Sequence, residues 1–161
     1  MLQLSIKWKG PYKLKQVVAE LNDAGSPPGW DGDDYGLYQI YGKHILCGPG
    51  ALLYIGEATQ QTFSDRFKQH LKEWLEDEYP VQVYVGRLYM PGRHTSRDNW
   101  ATWTSDVRLA EHALIYKYSP HYNSNSIVDP PKLDGHNKVS LIHEGNKNRL
   151  HRRDVVPDDW K

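Results

Sequence analysis

One cysteine, Cys47, in 161 residues excludes any internal disulfide, and with it a fold stapled by cross-links. A chain so poor in cysteine fits a reducing compartment, and a cytoplasmic location is the expectation. No run approaches the roughly 20 apolar residues that a membrane helix needs. The opening MLQLSIKWKG has no long apolar stretch followed by a small-residue cleavage site. Neither a membrane span nor a secretory leader is expected. An excess of charge is missing too, because 20 basic and 20 acidic side chains cancel. The basic field common among nucleic-acid binders is therefore absent, and only local clusters could meet phosphate. Two clusters exist: Lys7, Lys9, Lys13 and Lys15, and then Lys147, Arg149, Arg152 and Arg153. Solvated surface charge explains either one as well as phosphate contact does.

The length suits one globular domain with its own core and is short for two. Leu14, Val17, Val18 and Leu21 have helical spacing and predict a helix from Lys13 to Asn22, which Asp23 to Gly29 then stops. Gly36 to Tyr41 and Ala51 to Gly56 are rich in aromatic and branched residues and predict two strands. The Gly/Pro-containing link between them makes an antiparallel pair the simplest arrangement. Thr62, with Asp65 three residues on, predicts the capped start of a helix running from Phe63 to about Glu76. Val81 to Tyr89 begins with clean alternation and predicts a third strand. Pro91 to Thr104 has no usable period and is expected to be a long loop. A last clear helix should run from Asp106, capped by Ser105, to Tyr118, and stop at Ser119-Pro120. Beyond it the chain looks irregular, with a weak strand at Val139 to His143.

Three groups of residues stand out against this outline. Val107, Ala110, Leu114, Ile115 and Tyr118 define the apolar stripe of the last helix, and Glu111 falls inside it. A carboxylate turned toward a core costs several kcal/mol unless it is paired or binds a metal. Its ordinary explanation is partial exposure at the stripe's end, or an ion pair. Arg66 and His70 lie four residues apart on one edge of the Phe63/Phe67/Leu71/Trp74 face, where a side chain can reach a cleft. Snorkelling side chains occupy such edges as well. Tyr38 and Tyr54 could present hydroxyls from neighbouring strands, although strands favour tyrosine in any case.

Read in order, Gly36-Leu37-Tyr38, Tyr54-Ile55-Gly56, Arg66 with His70, Glu111, and Asn123 after Ser119-Pro120 resemble the GIY-YIG nuclease family. Leucine stands in for isoleucine in the first triplet. The likeness covers roughly residues 35–125. It implies an α/β (α+β) fold: a small three-stranded antiparallel sheet flanked by helices. This core, about 35–125, would carry a helical N-terminal extension over 1–34 and an irregular C-terminal one over 126–161. It also implies hydrolysis of DNA phosphodiesters with a divalent cation, Mg2+ or Mn2+. A type II restriction-like enzyme, dimeric so as to cut both strands, is one such expectation, since His70 matches a histidine of some restriction members.

On that resemblance, Glu111 is the metal ligand, one carboxylate favouring a single-metal site. Arg66 brings a planar charged fork to the phosphate. Tyr38 accepts the water's proton if Arg66, the metal or His70 lowers its pKa, or if the proton moves on to His70. Tyr54 orients the water or phosphate. Gly56 lets the backbone turn, and Asn123 braces the site. The principal alternative is a nucleic-acid-binding module that keeps the fold without turnover. Two others are weaker. His136-Asn137 imitates an HNH nuclease but lacks the downstream helix with a second histidine, and Trp100 and Trp103 could instead serve a protein partner.

Overall fold

The computed structural model describes residues 1–14, 35–73, 80–89, 99–133 and 135–157. Most of the helix expected from Lys13 to Asn22, and the first part of the long loop, lie outside these residues. The described elements are β1 (Leu2–Lys13), β2 (Gly36–His44), β3 (Gly48–Ala58), α1 (Phe63–Glu73), β4 (Gln82–Tyr89), α2 (Trp100–Tyr118), β5 (Lys138–Gly145) and β6 (Arg153–Pro157).

The six strands form one mixed sheet in the order β3-β2-β4-β1-β5-β6. This corrects the expectation of a small three-stranded sheet flanked by helices. The three expected strands do lie side by side, β2 pairing antiparallel with both β3 and β4. The sheet continues past them because β1 pairs antiparallel with β4 on one side and parallel with β5 on the other. The opening residues, assigned to a helical extension, are thus an interior strand through Lys13. Leu4, Ile6 and Trp8 alternate with the exposed Gln3, Lys7 and Lys9, the period-2 signature of a strand with one buried face. Lys7 and Lys9 are its outward half. The tail assigned as irregular holds two strands, β5 and β6, paired antiparallel.

Successive residues of β2 point to opposite faces, and each face has its own core. Leu37 and Tyr41 pack with Trp8, Ile55, Leu114 and Leu141 on the α2 side. Tyr38 and Ile40 pack with Phe63, Phe67, Val83 and Val85 on the α1 side. Trp8 lies opposite Gly86 in the register, and a Cβ on Gly86 would come within 2.6 Å of the indole. A glycine there lets the large ring lie flat on the neighbouring strand.

Both helices start and stop for local reasons. At the head of α1 the Asp65 amide donates to Thr62 Oγ1 at 3.3 Å, while the threonine hydroxyl donates to the Asp65 carboxylate at 3.2 Å. The second helix begins at Trp100, not Asp106, because Asn99 accepts from the Thr102 amide and caps it there. Its first turn absorbs the end of the expected loop. It ends where Ser119, in the left-handed region, donates its amide to the Ile115 carbonyl and Pro120 cannot continue the ladder. Among the described residues no helix is long and apolar enough to cross a membrane.

Candidate active site

Strand β3 is an edge of the sheet, so alternate backbone groups along it face outward and need other partners. The segment after α2 supplies them. The Tyr122 amide donates to the Leu53 carbonyl at 2.8 Å. Two residues further along, Asn123 accepts from the Ile55 amide at 3.0 Å and donates to its carbonyl at 2.8 Å. Two further still, the Glu57 amide hydrogen-bonds to the Glu111 carboxylate. Asn123 therefore acts as a side-chain substitute for a missing strand, and the same edge grips Glu111.

On the α1 face, Tyr38 is fully buried, and its hydroxyl lies 2.6 Å from His70 Nε2. Arg66 Nε donates to the same oxygen at 3.1 Å, and the guanidinium also hydrogen-bonds to Tyr54. The rings of Tyr38 and Tyr54 stack with centroids 6.0 Å apart, and His70 meets Tyr54 edge-on at 5.2 Å. Gly56 lies within β3 and not at a turn, which corrects the role expected for it. A Cβ at this position would run into the Tyr38 hydroxyl and ring carbon Cζ and come within 2.7 Å of Tyr54. Its lack of a side chain is what lets the two phenols meet. Tyr38, Tyr54, Arg66, His70 and Gly56 converge here, and Glu111 joins them from the adjacent edge, near enough for its charge to act on both phenols.

Electrostatics distinguish the members. Burial, followed by the neighbouring Tyr54, raises the Tyr38 phenol well above its ordinary value, overcoming the Arg66 charge. The lowering expected from Arg66 is thus outweighed in the protein by itself. Tyr54 is raised as well, again chiefly by burial. Burial and then the Arg66 charge push His70 down to about 4, so it is neutral at pH 7. Burial and then Glu57 push Glu111 up to about 7, against the pull of Arg66 and Arg108.

Glu57 is the residue that sequence reasoning missed. It directly follows the Tyr54-Ile55-Gly56 triplet, but its importance comes from a fold that sets it beside Glu111. One carboxylate oxygen stands 3.7 Å from Arg108 Nε, and the other is buried without a hydrogen-bond partner among the described residues. Two adjacent carboxylates, one with an orphaned oxygen and the other reluctant to ionise, form a donor set suited to a hard divalent cation. Glu111 and Glu57 are thus the oxygen donors at this edge that could hold the divalent cation, magnesium or manganese, expected from the resemblance. Arg108 connects this pair to a groove of about 1060 Å3 whose lining includes Gln60, Trp100, His112 and Lys132. Comparison with protein-family models, with curated proteins and with solved structures gives no match to this chain.

Proposed function

We propose that this protein is a metal-dependent endonuclease that hydrolyses DNA phosphodiester bonds. The observation that carries the reading is the meeting of two phenols, a guanidinium, a neutral imidazole and a carboxyl of raised pKa across one sheet edge. Binding alone would not call for a carboxylate held beside a second one at the point where a phosphate would sit.

Each side chain then has a task. Arg66 holds the scissile phosphate with its fork and gains as negative charge builds at phosphorus. Tyr38 accepts a proton from the attacking water while passing its own to His70 Nε2, which requires the imidazole tautomer unprotonated at that nitrogen. Such a relay never needs a free phenolate, which burial disfavours. Tyr54, hydrogen-bonded to Arg66, orients the water or the phosphate. The water oxygen bonds to phosphorus as the bond to the leaving oxygen breaks, and that oxygen takes a proton from solvent. Glu111, with Glu57 beside it, would hold magnesium or manganese, which when bound would neutralise negative charge on the phosphate. Outside the site, half-exposed Arg108 and exposed Trp100 line the groove, where a guanidinium can meet phosphate and an indole can stack on a base.

Nicking of supercoiled plasmid tests the proposal. Cleavage should appear with magnesium, stop with chelator and vanish in Glu111→Ala while circular dichroism shows a folded domain. Undiminished cutting by that variant, or DNA binding with no cutting under any divalent cation, would overturn it.

A further inference from the structure

The far end of the β2–β3 hairpin carries a second group of metal-ligating side chains. His44 closes β2, Cys47 sits three residues on in the turn, and His121 lies just beyond the end of α2. Ligand atoms of all three lie within 4.8 Å of one another. The His44 and His121 rings stack at 4.0 Å with only 10° between their planes. His44 Nδ1 accepts the Leu46 and Cys47 amides at 3.3 and 3.4 Å. That nitrogen is therefore unprotonated, with its lone pair turned into the loop that carries the thiol. A metal at Nδ1 would take the place of these two long amide contacts, while the proton of the ring stays on Nε2.

We propose that His44, Cys47 and His121 form a site for a borderline-soft divalent metal ion, zinc above all, separate from the magnesium chemistry of Glu111. Two imidazoles and one thiolate match the preference of zinc for nitrogen and sulfur, whereas magnesium takes oxygen. Coordination forms one metal–sulfur and two metal–nitrogen bonds and releases the Cys47 thiol proton to solvent, leaving the fourth tetrahedral position to water. Parallel rings do not aim both lone pairs at one point, so binding opens the stack. His121 is exposed and free of regular secondary structure, and it can make that rotation.

The consequence is mechanical. His121 precedes Tyr122 and Asn123, which pair with the outer edge of β3. A metal linking the hairpin tip to His121 would fasten this segment and the Asn123 brace to the strand bearing Tyr54 and Gly56.

Titration of the full chain with Co2+ and Zn2+ in the presence of excess Mg2+ tests the site. One equivalent should bind, with the charge-transfer absorption of a cobalt–thiolate bond and displacement of cobalt by zinc. Cys47→Ser should erase the thiolate band, and His44→Ala or His121→Ala should each weaken binding by at least about tenfold. Glu111→Ala should bind cobalt as the wild type does. No binding, a band that survives Cys47→Ser, or equal loss in Glu111→Ala would each overturn the proposal, whatever the nuclease assay shows.

Discussion

Replacing Glu111 by glutamine should make the metal-free protein more stable while ending cleavage. Burial and the neighbouring Glu57 carboxylate lift the Glu111 pKa from its usual 4.5 to about 7. In the unfolded chain neither influence acts, so unfolding releases the proton more readily. Below the unfolded pKa the acid is neutral in both states and contributes no penalty. Between there and pH 7 the penalty grows, and above pH 7 it is present in full, at about 1.4 kcal/mol per pH step, roughly 3 kcal/mol in all. Glutamine is nearly isosteric, keeps an oxygen to accept from the Glu57 amide and carries no charge. In chelator at pH 8, Glu111→Gln should therefore melt roughly 10 °C above wild type, and the gap should close near pH 4. Added magnesium should stabilise the wild type and leave the variant unmoved. Thermal melts followed by circular dichroism across pH, with and without magnesium, read all three effects. A variant no more stable than wild type at pH 8, or one that magnesium stabilises equally, would refute the strained-carboxylate reasoning.

Other substitutions probe the neighbouring parts. Arg66→Lys keeps the charge but loses the fork that joins both phenols, and single-turnover cleavage should fall by about 100-fold with little change in melting; an unchanged rate would remove Arg66 from the reaction. Gly56→Ala puts a methyl group into the Tyr38 hydroxyl and should cost about 1–3 kcal/mol by overpacking, together with most of the activity. Burial would raise the Asp154 carboxyl, but hydrogen bonds from His143, Lys117 and Tyr118 hold it far below its usual value. Its contribution to stability is thus intact above the ordinary carboxylate range and is lost progressively as pH falls below that range toward the depressed native value. Asp154→Asn should cost about 3–5 kcal/mol at pH 7 by stranding the Lys117 charge, and should flatten the acid limb of the melting profile.

Local pattern revealed the parts of the fold that local pattern determines. Strands β2 to β4, the head of α1 and the end of α2 follow from alternation, caps and Pro120, and these three strands and two helices carry every expected site residue except Asn123, which lies in the segment after α2. Strand β1 was just as visible in Leu4, Ile6 and Trp8, but Lys7 and Lys9 drew the reading toward a charge cluster. Alternation would have found it. Its parallel pairing with β5, more than 130 residues away, has no local signature. Glu57 escaped for a similar reason, since an acidic residue after a glycine is unremarkable until Arg108 and Glu111 arrive from a distant helix. The helix at Trp100 was hidden because its first turn presents two tryptophans and no period, and only the Asn99 cap marks its start.

The position of β1 has a consequence for synthesis. It is the earliest of these strands to leave the ribosome, yet one of its edges waits for residues 82–89 and the other for residues 138–145. Until both are made, a row of amide and carbonyl groups beside Leu4, Ile6 and Trp8 stays open to any passing extended peptide. Slow translation, or loss of the tail that supplies β5, should turn this protein toward chaperones and aggregates even when every residue around Tyr38 is intact.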